Sequence, residues 1–264
     1  MEKQIIGRGL LAGALAGVLA FAFARIFVEP VIERAIGYED GVGAAHEGMG
    51  HGGHDHGVEL FTRGVQANIG MGFGVLAFSI AMGALFSVLF AVAHGRVGNV
   101  SARTLSVFIA GAMLLSLYVV PSLKYPANPP AVSLDETIRQ RTLLYLLLVV
   151  VSAALFVGAV CLGRRLVGRL GAWNATLAAA GSYVVAMGIV TLVLPTIDET
   201  PGPLVDDAGN IVFGGFPADD LYEFRLYSLG VQVVMWVTIG LVFAALISKV
   251  LDGRRNDVGA GLNT

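Results

Sequence analysis

Charge is what this chain has least of. Of its 264 residues, 14% are Asp, Glu, Lys or Arg, against about 25% in soluble domains. That scarcity argues against a water-soluble fold. Cysteine is almost absent. Cys161 stands alone in an apolar stretch, so no disulfide closes within the chain and cysteine usage says nothing about redox compartment. No long basic run occurs, so nucleic acid is not expected as a partner. The G-x-x-x-x-G-K-[ST] phosphate loop is missing, and no cytoplasmic segment is large enough for a nucleotide domain. H-E-x-x-H is missing too, and no serine or cysteine nucleophile stands near a histidine at plausible depth, so the chain is not read as an enzyme.

What fills the space is apolar. Hydrophobic residues make up 56% of the chain, and stretches long enough to cross a bilayer, about 20 residues each, recur six times. They are read as Ile5–Val28, Gln66–Ala93, Thr104–Pro121, Leu143–Leu162, Ala175–Pro195 and Ser228–Val250. The fold class is therefore all-α, a polytopic membrane protein of six transmembrane helices arranged as three hairpins. A cleaved signal peptide is the alternative for the first stretch, with Lys3 and Arg8 ahead of it and "AFA" at 22–24. Its length and the Gly9, Gly13, Gly17 spacing, a small-residue stripe suited to close helix packing in lipid, favour a retained helix.

Orientation follows from the arginines. The connections near 94–103 and 163–174 carry Arg96, Arg103, Arg164, Arg165 and Arg169 and no acid, and basic residues mark the cytoplasmic side. Both termini, with Lys3, Arg8, Lys249, Arg254 and Arg255, join them there. The other connections face outward. Residues 29–63 hold seven acids against Arg34 and Arg63, and 196–227 hold seven against Arg225. Such a field concentrates cations, although acids are also what the positive-inside rule leaves outside.

A repeat is visible in the punctuation. Three outward helices are expected to end in proline, at "FVEP", "YVVP" and "LVLP", and each return helix follows an arginine: Arg63, Arg141 or Arg225. Two returns share "GVQ", at 64–66 and 230–232. The sequence leaves open whether this is a threefold repeat or ordinary membrane-boundary usage.

The string "AHEGMGHGGHDHGVEL", 45–60, holds four of the five histidines. It is internal, mixed with acids and lacks the unbroken run of a tag. Imidazole is the commonest ligand for late first-row divalent metals, with carboxylate in company. His46, His51, His54 and His56, with Asp55, Glu47 and Glu59, are the expected metal ligands in a glycine-rich extracytoplasmic loop spanning 40–58. The spacing matches no structural zinc motif. It fits reversible binding of a divalent ion and says little about which one, the affinity order favouring copper, nickel and zinc over cobalt. A solvated loop without metal is the alternative.

Inside the spans, Asn68, Ser79, Thr191 and Gln232 are polar. They fit a seam along a path or simple helix–helix glue. Met71, Met82, Met113, Met187 and Met235 read as packing, and His94 as a headgroup-facing residue.

Several stretches carry a resemblance. "GRGLLAGALAGVLAFAFARIFVEPVIERAI" opens the chain, and "HGVELFTRGVQANIG", "YPANPPAV", "LPTIDETP" and "GGFPADDLYEFRLYSLGVQVVMW" follow at the outer connections. Together they resemble the CbtA family of proposed cobalt transporter subunits over nearly the whole chain. The resemblance implies cobalt uptake linked to cobalamin supply, beside a small single-helix, histidine-bearing CbtB-type subunit. One departure is the long "DETPGPLVDDAGNIVFGGFPADD", read as a local hairpin insertion.

The resulting expectation is an integral subunit of a divalent-metal uptake system in a bacterial cytoplasmic (inner) membrane, with cobalt as the ion. The alternative is a non-transporting membrane subunit that binds metal or stabilises a larger complex; a homo-oligomer is left open. Asp198 and Glu199, with Asn128, Gln66 and Gln232, are the expected ion entry and path. Tyr125, Pro126, Phe216, Asp219 and Arg225 are expected to form a cap or a partner-docking face over the 196–227 acidic loop.

Overall fold

The computed structural model describes residues 2–49, 62–98 and 100–261. Among them, five helices are long and apolar enough to cross a membrane. We label them α1 (Glu2–Gly48), α2 (Arg63–Ala93), α3 (Ala102–Lys124), α4 (Asp135–Val193) and α5 (Ala218–Gly261). Two short strands, β1 (Leu204–Val205) and β2 (Ile211–Phe213), pair antiparallel. This is the local hairpin expected between "LPTIDE" and "FPADD", a small departure from an all-α chain. The helices form two compact units, one from Met1–Pro30, His56–Leu114 and Leu226–Thr264, the other from Val31–Asp55 and Leu115–Arg225.

In the first unit, glycine sets how closely helices meet. Gly9, Ala12, Gly13, Ala16, Gly17 and Ala20 bury one face of α1. A Cβ at Gly9 would lie 2.4 Å from the Gly83 carbonyl oxygen, and one at Gly83 would lie 2.2 Å from the Gly9 carbonyl oxygen. The backbones of α1 and α2 therefore touch, which is how small residues hold helices together where lipid removes the hydrophobic drive. Phe86 and Phe90 of α2 meet Phe243 of α5 edge-on at 5.0 and 4.9 Å.

Two of the three prolines expected to end helices lie inside them. A π-helical turn at Ala24–Val28 precedes Pro30 in α1, and another at Leu115–Val119 precedes Pro121 in α3. A proline has no N–H for the carbonyl four residues back, and its ring crowds that carbonyl. Widening the helix just upstream relieves the clash. The carbonyl freed by Pro121 is that of Leu117, and the Tyr145 hydroxyl donates to it at 3.2 Å. So α1 does not stop near Val28. It runs on to Gly48, and the first stretch of the expected outer loop is helix. Pro195 behaves as expected, lying just beyond the end of α4 at Val193.

In the second unit, α4 is broken at Gly171, whose φ of 72° and ψ of 165° are not helical. The Ser152 hydroxyl lies 2.8 Å from the Tyr183 hydroxyl although 31 positions separate them. A straight helix at 1.5 Å per residue would hold them about 46 Å apart. The chain therefore turns back at Gly171, and 172–193 packs along 135–170. Leu148, Tyr183, Met187, Val120 and Tyr125 form the core of this unit.

Candidate functional site

The second unit gathers most of the recognisable stretches into one polar cluster. Three of the eight residues of "YPANPPAV" are prolines with no main-chain N–H to donate, and side chains hold the stretch. Arg141, from the start of α4, donates Nη2 to the Pro126 carbonyl and Nη1 to Glu199 Oε2 at 2.9 Å. Arg225, from the start of α5, donates to the Ala127 carbonyl at 3.3 Å and to Asn128 Oδ1 at 3.2 Å. Asn128 Nδ2 donates in turn to Glu199 Oε2 at 2.9 Å. The Thr137 hydroxyl donates to Glu199 Oε1 at 2.5 Å.

Glu199 is thus a buried carboxylate, 5% exposed, with donors on both oxygens and a guanidinium as its counter-ion. Such pairing offsets the cost of taking a carboxylate out of water. The neighbouring Tyr125 hydroxyl donates to the Pro195 carbonyl at 2.7 Å, tying 125–132 to the end of α4. Burial pushes the Tyr125 phenol above its ordinary value. Ala131 takes φ of 68° in the turn closed by Val132 N–H to Pro129 carbonyl, a conformation that costs an L-residue about 1–2 kcal/mol. Val132 and Phe216 are buried with Ala35 in a small core beneath.

The residues expected to act together at an ion entry are distributed differently. Glu199 is enclosed, whereas its neighbour Asp198 is exposed and caps the Thr200 N–H at 3.2 Å. Asn128 lies in the enclosed cluster with Glu199. Gln66 is exposed in a π-helical turn at Gln66–Gly70, and Gln232 is half-buried on α5; both belong to the first unit. Of the cap residues, Tyr125, Pro126 and Arg225 join the cluster, Phe216 is in the small core, and Asp219 is exposed.

Among the metal candidates, His46 and Glu47 lie on the last turns of α1. His46 Nδ1 is 3.1 Å from the Val42 carbonyl oxygen. His51, His54, His56, Asp55 and Glu59 lie outside the described residues. Among the described residues no three His, Cys, Asp or Glu side chains come together as a metal site.

Sequence reasoning missed a second buried carboxylate. Glu29, read as part of an outer loop, is on α1 just before Pro30, 5% exposed, with Oε1 on Arg63 Nη2 at 2.5 Å. Its Oε2 is buried and accepts no hydrogen bond among the described residues. Nearby, Arg25 donates to Asn68 at 3.0 Å. The available signal was the arginine heading each return helix: Arg63, Arg141 and Arg225 all reach back to a preceding segment, at Glu29, Pro126 and Ala127.

The model of the CbtA family, described as a probable cobalt transporter subunit, matches residues 2–248. The chain belongs to the CbtA family. CbtA is a family of transporter subunits and not of enzymes, so the long apolar helices are those of a membrane protein and cobalt is the ion the family name carries. No curated protein and no solved structure is matched by the chain. The family match takes in the whole enclosed cluster from Tyr125 to Arg225, both buried carboxylates and all five long helices up to Ser248.

Proposed function

We propose that this CbtA chain is the integral membrane subunit of a cobalt uptake system linked to cobalamin supply, seated in a bacterial cytoplasmic membrane. The observation that carries the reading is the family match over residues 2–248 on a chain whose long helices suit a bilayer. Six spans in three hairpins is the proposed topology. The turn at Gly171 supports it, because it makes two antiparallel spans of α4. Both termini are cytoplasmic in this reading, so the histidine stretch faces outward and captures metal. His46, His51, His54 and His56, with Glu47, Asp55 and Glu59, supply the ligands. Exposed Asp198 stands at the entry, with Gln66 and Gln232 toward the path, while the Glu199 cluster is a rigid cap and the docking face for a CbtB-type partner. A divalent ion moving inward gains about 4.6 kcal/mol per 100 mV from the membrane potential.

One observation favours a second reading, in which the chain conducts nothing alone and completes a larger complex. Both buried carboxylates, Glu29 and Glu199, are already paired with arginine, and a guanidinium repels a divalent ion. Radioactive cobalt uptake by vesicles holding this chain alone, and with its partner, decides between them. Uptake by the chain alone supports the path; uptake only with the partner supports the second reading; none in either removes transport. Replacing the four histidines by alanine should lower uptake at scarce cobalt and be largely rescued at abundant cobalt. A defect that persists at every concentration would move the histidines from capture to passage.

A further inference from the structure

In the first unit, a cleft of about 650 Å³ opens between the start of α3 and the far end of α5. Its floor holds Ser248, which is buried, with Arg103 laid across it: Arg103 Nη2 donates to Ser248 Oγ at 3.1 Å. Among the described residues no carboxylate pairs with Arg103, and 94–103 contains no acid. The walls are Val107, Leu241, Ala244 and Ala245, all apolar. Thr104 adds a hydroxyl at the rim, held by Ser101 at 2.8 Å.

A guanidinium that leans across to a neighbouring helix, has no counter-ion among the described residues and stands at the head of an apolar slot is complementary to one class of molecule. It needs an anion with oxygen acceptors on one end and hydrocarbon on the other. We propose that this cleft is a binding site for the phosphate headgroup of an anionic phospholipid, with Arg103 on the phosphate and an acyl chain along Val107 and Leu241. The phosphate accepts from the Arg103 N–H groups not spent on Ser248, and charge-assisted bonds to a planar guanidinium are the strong ones. The cleft size lies within the ordinary range for small-molecule sites. Basic pockets between transmembrane helices hold lipid headgroups by the same logic. The bilayer supplies this ligand, in preference to free phosphate, because a soluble anion would leave the apolar walls unused.

The test is native mass spectrometry of the full chain, released from bilayers of equal phosphatidylglycerol and phosphatidylcholine. The expected result is a phosphatidylglycerol preference of roughly fivefold, reduced to near one by Arg103→Gln. Arg103→Lys, which keeps the charge and loses the planar fork, should fall between. If Arg103→Gln fails to fold, Ala245→Phe fills the slot without touching the charge and should displace the lipid equally. Inorganic phosphate at millimolar concentration should not compete. Equal retention of the two lipids by the wild type, an unchanged preference in folded Arg103→Gln or Ala245→Phe, or displacement by inorganic phosphate would each overturn the proposal.

Discussion

Glu29 and Glu199 are equally buried and each meets one arginine, yet they are not equivalent. Glu199 has donors on both oxygens: Thr137 on one, Arg141 and Asn128 on the other. Among the described residues, Glu29 has Arg63 on one oxygen and no donor on the other. In the second unit the carboxylate is a knot tying "YPANPP" to "LPTIDE". In the first it joins α1 to α2 beside two π-helical turns and keeps an unused acceptor. A saturated buried charge rigidifies its surroundings, and an unsaturated one is costly to keep. Ion pairing alone therefore does not tell a scaffold from a site that changes partners; the count of donors does.

The sharpest way to break the comparison is to remove each arginine. Arg141→Ala leaves Glu199 buried with two neutral donors and should destabilise the second unit by about 3–5 kcal/mol. Arg63→Ala should cost less, because both partners of that pair are more exposed, Arg63 30% against 17% for Arg141 and Glu29 7% against 2% for Glu199. Denaturant unfolding in detergent compares them; equal losses would erase the distinction drawn here.

A smaller effect tests the rigidity of the cap. Tyr125→Phe removes the bond to the Pro195 carbonyl and should cost about 1 kcal/mol. The buried phenol also gives an alkaline signature. Burial raises the Tyr125 phenol in the folded state, so its neutral form is favoured there. That stability is present below the unfolded value, near pH 10, and is lost as pH rises through the folded value. The thermal midpoint of wild type should therefore drop above about pH 10 more steeply than that of Tyr125→Phe. Parallel curves would mean that the phenol does not matter.

How much of this could be read from residues alone differs by kind of feature. The apolar cores of the spans were legible, because a bilayer demands an uninterrupted apolar run and tolerates little else. The length of α1 was not. Pro30 and the glycines at 37, 41 and 43 look like stops, and nothing local announces a π-helical turn that lets a helix absorb a proline. The turn at Gly171 fell where the arginines of 163–174 placed a connection, but its tightness, one non-helical residue, was invisible. The Glu199 cluster was half legible. Its members stood out as motifs, yet the partners lie 58 to 71 positions apart, and no spacing rule links Asp198 to solvent and Glu199 to Arg141.

The mildest perturbation supplies a reference carboxylate that is not buried. Asp206 in the β1–β2 turn accepts from the Asn210 side chain at 3.0 Å and from the Asn210 and Ala208 N–H groups at 2.7 and 2.9 Å. Those bonds, the Asn210 side chain first, hold its carboxyl below the usual range. Their contribution is present above the unfolded carboxylate value, near pH 4, and is lost as pH falls through the lower folded value. Asp206→Ala should loosen amide-exchange protection of 204–213 and leave the global melt unchanged. A shifted global melt would show that the hairpin is coupled to the second unit's core.

The single-residue break at Gly171 also works as a phase lock. Each helical residue advances the side-chain direction by about 100°, and the turn has no slack to absorb an error. One residue inserted between Gly171 and Tyr183 would swing Tyr183 away from Ser152 and carry Met187 out of its place in the core, while leaving the span as long and as apolar as before. Hydropathy would be blind to such a change. In this hairpin the chain distinguishes an angular register that the lipid around it does not.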